Sequence, residues 1–203
     1  MDSKGIHTLL RSAMFLIVAL VCASSATAMG PLETLQVRDL QVREILGNHK
    51  TKPSPEEDAR LRDLVTGIVD MDSHTRESFG IYWNELDETK RREALQLVSM
   101  LLERSLLKGV YEHKSDRVQY VSERIDPANP SVATVLTVIT RNEDRWEVRY
   151  RMQQSGSQWK IVDILLQGKS SVERNRSSFY KEIQSSGVAG LLEKLRKKVD
   201  KIP

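Results

Sequence analysis

Cysteine is nearly absent from this chain: Cys22 is the only one in 203 residues. That excludes an internal disulfide framework and any cysteine-clustered zinc or iron–sulfur site. Aromatic residues are only 5% of the sequence and do not interleave with the basic ones, which argues against stacking on nucleic-acid bases. The net charge is +3, too small to indicate nucleic acid without a focused basic patch. No G-x-S-x-G, P-loop, G-x-G-x-x-G or H-E-x-x-H pattern occurs, and no internal repeat is visible. What remains is ordinary globular composition, 39% hydrophobic and 29% charged, at a length that suits one domain.

The first 28 residues read as a leader. Lys4 and Arg11 form a basic start, Ala13–Val21 is a short apolar run, and Ala26-Thr27-Ala28 is a small-x-small cleavage site. This is the pattern of a secretory signal peptide, and the run is too short to cross a bilayer. Val21, before Cys22, is too bulky for a lipoprotein signal. Cleavage is expected after Ala28, with residues 29–203 forming a single domain. A secreted domain without cysteine suits a bacterial periplasm, where free thiols oxidise.

Helical periods dominate the first half. Leu32–Leu46 reads as a surface helix with Leu32, Leu35, Leu40, Ile45 and Leu46 among charges, closed by Gly47-Asn48 and followed by a Thr51–Pro55 linker. Ser54, Pro55 and Glu57 spell a capping box for a helix carrying Leu61, Leu64, Val65 and Ile68 on one face. Asp70–Gly80 reads as a short helix. Asp87 caps a long one running to about Lys108, whose middle, ALQLVSMLL, is apolar round most of its circumference. Such a helix needs apolar neighbours on several sides.

The period then changes. Arg117–Ile125, Ser131–Thr140, Arg145–Gln154 and Ser157–Leu166 read as four strands separated by turn signals, hence an antiparallel meander. In the third, Trp146, Val148, Tyr150 and Met152 alternate with Glu147, Arg149, Arg151 and Gln153, so one face is covered and one is wet. The second and fourth are apolar on both faces and belong nearer the sheet centre. Ser170 and Glu173 suggest another capping box for Val172–Ser186; Gly187 ends that helix and Val188–Lys201 forms the last. The expected fold is α+β, with helices packed on one face of a curved, mostly antiparallel four-stranded sheet.

Chemistry-bearing residues are sparse. His49, His74 and His113 have no metal-ligand spacing, and no metal or cofactor is expected. Asp70-Met71-Asp72-Ser73-His74 reads as the acidic first turn of a helix, where carboxylates favour the macrodipole. Asp163 interrupts an apolar strand, so its carboxylate must be bonded, paired or protonated. It is either a satisfied core group or the acid/base of a small enzyme acting on an apolar substrate. The basic run Lys194, Arg196, Lys197, Lys198 and Lys201 complements a helix C-terminus, or serves a non-catalytic adaptor as its binding face. The apolar surplus fits a filled core or the wall of a cavity between the long helix and the sheet.

An ordered set of short segments shifts the weight among these alternatives toward the cavity. Trp159-Lys160-Ile161-Val162-Asp163-Ile164, Gly168, Ser171, Asn175-Arg176-Ser177-Ser178-Phe179 and Gly187-Val188-Ala189-Gly190-Leu191 resemble the MlaC family of periplasmic phospholipid-binding proteins, the toluene-tolerance auxiliary components of an ABC transport system. Val69-Asp70-Met71 and Phe79-Gly80-Ile81-Tyr82-Trp83 agree with it. Lys169 and Arg174-Asn175-Arg176 depart from the family pattern. The resemblance implies a soluble, monomeric, non-enzymatic carrier. It would take phospholipid, or a related lipid as in a hopanoid-associated branch, between outer-membrane lipoprotein and inner-membrane ABC transporter complexes, and so serve outer-membrane lipid asymmetry. It also implies an apolar pocket for acyl chains. The wall expected on this basis is Trp83, Leu97, Met100, Leu101, Val135, Val148, Tyr150, Ile161, Ile164, Phe179, Ile183 and Leu191, with Tyr82, Lys169 and Arg176 at the rim.

Overall fold

The computed structural model of the chain describes residues 29–47 and 53–201. The leader and its cleavage site, His49, Asn48 and the first two linker residues lie outside them. In order, the elements are α1 (Pro31–Gly47), α2 (Pro55–Gly67), α3 (Met71–Phe79), a 3-10 turn (Gly80–Glu85), α4 (Glu88–Glu112), β1 (Arg117–Ile125), β2 (Val132–Arg141), β3 (Asp144–Ser155), β4 (Gln158–Leu166), β5 (Lys169–Ser170) and α5 (Ser171–Lys201). The strands form one antiparallel sheet in chain order.

Side chains at the helix starts fix the boundaries. Ser54 Oγ accepts from the Glu57 amide at 3.2 Å, and Glu57 accepts from the Ser54 amide at 2.8 Å. This reciprocal pair satisfies two donors that a helix cannot satisfy internally. Asp70 and Asp87 cap α3 and α4 by accepting from the amides of Ser73 and Lys90, each at 2.8 Å. At α5, Ser170 Oγ accepts from the Glu173 amide at 3.0 Å.

Three expectations change in detail. α4 runs past Lys108 to Glu112, because Val110 and Tyr111 continue its apolar packing against α2. The sheet has a fifth strand: Gln167 and Gly168, both at positive φ, make a two-residue turn that folds Lys169–Ser170 back on Leu165–Leu166. Two residues are too few to show alternation in a sequence. Leu40 faces outward at 66% exposure, five residues beyond Leu35 and off the buried stripe of Leu35, Val42, Ile45 and Leu46.

α4 joins three packed regions. Leu97 and Val98 meet Phe79, Phe179, Leu191 and Leu195 of α3 and α5. Leu102 and Leu106 reach the sheet-side core of Leu35, Val135, Met152 and Ile161. Leu107 packs with Ile45, Leu46, Leu61 and Leu64 of α1 and α2. A bulge lets Val162 stand opposite no residue of β3, since Met152 pairs with Ile161 and Arg151 with Asp163. Val162 and Asp163 are therefore both buried.

Gly187 breaks α5 at φ 69° and ψ 176°, so that its halves fold back and Lys194 bonds Glu182 across the break. An L side chain is strained at that φ. Gly187→Ala should therefore destabilise the fold by about 1–2 kcal/mol in urea unfolding. An unchanged midpoint would mean that the break is not imposed by this residue.

Candidate functional site

The helix-facing side of the sheet does not close completely on the helices. A cavity of about 220 Å³ remains between them. β1 contributes Val118 and Tyr120, β3 Tyr150, and β4 Ile161 and Ile164. Opposite lie Leu35 and Val42 of α1, Val65 of α2, Ile68 and Val69 after it, and Leu106 and Val110 of α4. Ten of these side chains are aliphatic, so the cavity offers water few partners.

The polar groups are few and segregated. Tyr120 and Tyr150 turn ring surface inward; burial pushes both phenols up, and the Asp39 carboxylate raises them further, so both are neutral. Asp39 accepts from Arg43 Nε at 2.9 Å. Arg38, beside it on α1, lines the cavity without an ion pair among the described residues. A larger groove of about 550 Å³ at the α4–β1 corner is walled by Glu112, Ser115, Asp116, Arg117, Thr140, Arg141 and Asn142, a surface for water rather than for hydrocarbon.

Three residues of the expected wall line the apolar cavity: Tyr150, Ile161 and Ile164. Val135 and Val148 share their sheet face but are packed shut, at 0% and 4% exposure. Trp83, Leu97, Met100, Leu101, Phe179, Ile183 and Leu191 gather on another side of α4, in the core shared by α3, α4 and α5. Phe79 fills that core, with ring centroids 5.1 Å from Phe179 and 5.9 Å from Trp83. The expected rim lies apart from the cavity lining too. Tyr82 stands edge-on to Tyr180, Arg176 Nε donates to the Glu77 carbonyl at 2.8 Å, and Lys169 is exposed on β5. Periodicity identified these residues as buried without saying against which neighbour. The lining that sequence reasoning missed carries its own signal: Leu106 and Val110 stand four residues apart on α4, and the α2 stripe continues through Ile68 into Val69.

Asp163 serves the backbone. One carboxylate oxygen accepts from Ser170 Oγ at 2.5 Å, the other from Ser171 Oγ at 2.7 Å and from the Val172 amide at 3.1 Å. Burial alone would raise its pKa, but these donors and nearby Arg151 bring it below the usual carboxylate range. It is the anion at the start of α5. Asp163→Ala strands three donors and should cost about 2–3 kcal/mol in denaturant unfolding; a loss under 0.5 kcal/mol would show the network to be incidental.

His74, 2% exposed, contacts the Val162 carbonyl through Nδ1 at 3.2 Å and Asn175 Nδ2 through Nε2 at 3.4 Å. Those partners assign a neutral ring protonated on Nδ1. Burial lowers its pKa below the ordinary 6.5, the Val162 bond opposing. Its stabilising contribution is full above pH 6.5 and is lost as pH falls, because the unfolded ring binds a proton first. Wild-type stability should fall below pH 6.5 with a component, up to about 1.4 kcal/mol per pH unit, that His74→Gln lacks. Identical pH slopes in urea titrations of the two proteins would contradict this. Among the described residues, no three His, Cys, Asp or Glu side chains converge on a metal-sized space, and no helix is long and apolar enough to cross a membrane.

A family model described as "MlaC protein" matches residues 39–197. The fold is similar to that of the phospholipid-binding protein from Ralstonia solanacearum, solved in complex with a phospholipid. The TM-score is 0.68 at 19% identity, covering 82% of this chain and 95% of that one. No curated protein matches the chain.

Proposed function

The chain belongs to the MlaC family, and on that premise we propose that it is a periplasmic lipid carrier whose sheet-side cavity holds acyl chains. The observation that carries this reading is the aliphatic space between α1, α4 and the sheet, with its charged fringe confined to Arg38 and Asp39. The Ralstonia protein of similar fold was solved with a phospholipid, which supports a phospholipid as cargo.

The driving force is solvation. Two acyl chains carry roughly 30 methylenes at about 0.8 kcal/mol each, on the order of 24 kcal/mol against exposure to water. An apolar wall removes most of that penalty without covalent chemistry. The carrier needs no catalytic group, and both Asp163 oxygens are already committed to α5. Arg38, free of an ion pair among the described residues, is the group placed to meet a headgroup phosphate. At about 220 Å³ the space is below the roughly 300–1,000 Å³ of ordinary ligand pockets. Loading therefore parts the walls.

In this reading the signal peptide directs the chain to the periplasm, cleavage follows Ala28, and residues 29–203 work as a monomer. It passes lipid between an outer-membrane lipoprotein complex and an inner-membrane ABC transporter complex. Protein purified from a bacterial host should carry diacyl lipid in native mass spectrometry. Ile164→Trp and Leu106→Trp, which fill the cavity, should lower the lipid-bound fraction at least fivefold while circular dichroism stays unchanged. Natively folded wild-type protein free of lipid, or full loading of both variants, would overturn the assignment.

A further inference from the structure

A second, differently built space lies on the far flank of α4. It is a crevice of about 220 Å³ between α4 and α5. Its apolar floor is Val98 and Leu101 of α4 with Phe179 and Leu195 of α5, and two cations, Arg174 and Lys198, also line it. Leu102 borders it and reaches the sheet-side core, so that α4 stands between the two spaces.

The charges identify the occupant. Beyond Gly187 most of the cations of α5 are neutralised: Lys194 by Glu182, Arg196 by Glu93 and Glu193, and Lys197 by Glu193 at 3.4 Å. Arg174 and Lys198 form no ion pair among the described residues; Lys198 acts on Glu182 only at a distance, behind the Lys194 bond. Arg174 also stands in the first turn of α5, where the macrodipole disfavours a cation. Two unneutralised cations beside an aliphatic and aromatic floor complement a molecule with one anionic head and one hydrocarbon tail. Ser105 and Asn175, also in the lining, add hydrogen-bonding capacity near the head.

We propose that this crevice is a second binding site, which takes a single-chain anionic amphiphile with its head between Arg174 and Lys198 and its tail over Val98, Leu101, Phe179 and Leu195. The head is a carboxylate or a phosphate; the tail is a single chain laid over the four apolar side chains of the floor. The site is independent of the sheet-side cavity, and each assignment can fail alone.

Isothermal titration of the lipid-stripped full chain tests it with dodecanoate, dodecyltrimethylammonium and inorganic phosphate as probes. Dodecanoate should bind with one-to-one stoichiometry, at least tenfold tighter than the cationic amphiphile of equal tail, and phosphate alone should not bind measurably. Binding should persist in Ile164→Trp, whose sheet-side cavity is blocked, and vanish in Leu101→Trp. The surface double variant Arg174→Glu/Lys198→Gln, which leaves the floor intact, should weaken dodecanoate at least tenfold. In both crevice variants the diacyl lipid that co-purifies, read by native mass spectrometry, should be unchanged. Equal affinity for the two amphiphiles, no effect of the double variant, phosphate binding as tight as dodecanoate, or loss of diacyl lipid in Leu101→Trp would overturn the proposal. The last outcome would make the crevice an arm of the main cavity.

Discussion

α4 cannot satisfy its apolar surface on one side, and the rest of the molecule is arranged around that constraint. Alanine, leucine, valine and methionine succeed one another from Ala94 to Leu102 with only Gln96 and Ser99 between them. A surface helix shows one apolar stripe; this one needs neighbours nearly all round. α3 and α5 close on one flank, α1 and α2 on another, and the sheet on a third. The helix is thus the partition of the domain, and the quality of packing differs from flank to flank.

That difference is where structure becomes function. Between α3, α4 and α5 the aromatic rings of Phe79, Phe179 and Trp83 interlock, and the space left on that flank is a crevice edged by Arg174 and Lys198. Toward the sheet the facing residues are shorter, with two tyrosines standing among valines and isoleucines, and a gap survives. An unfilled apolar gap loses dispersion contacts and weakens the fold. In the proposed carrier a hydrocarbon guest restores them, so the same gap that weakens the fold favours loading, and release is feasible because a bilayer supplies an equivalent environment.

Much of the fold was legible because local chemistry repeats a few rules. Ser54 with Glu57, Asp70, Asp87 and Gly187 each mark a boundary through a hydrogen bond or a backbone angle that few residues can supply. The alternation of Trp146, Val148, Tyr150 and Met152 gave the covered face of β3 directly. Leu101 and Ile164 show where legibility stops. Both are apolar, both are partly buried, and no periodicity says that one borders the crevice at α5 while the other borders the cavity at the sheet. Arg38 was hidden for a related reason: a charged residue on a surface helix looks solvated until tertiary packing sets it beside an apolar opening. The placement of Asp163 depended on a bulge and on the two-residue strand after Gly168, neither of which leaves a periodic trace.

The central claim is that hydrocarbon enters between the sheet and α4. The direct test is photo-crosslinking with a diacyl phospholipid carrying a diazirine in one acyl chain, followed by peptide mapping of the full-length protein. The account predicts adducts on peptides bearing Leu35–Val42, Leu106–Val110, Tyr150 and Ile161–Ile164. Adducts confined to the exposed loops or to the outward face of the sheet, with none on these peptides, would contradict it.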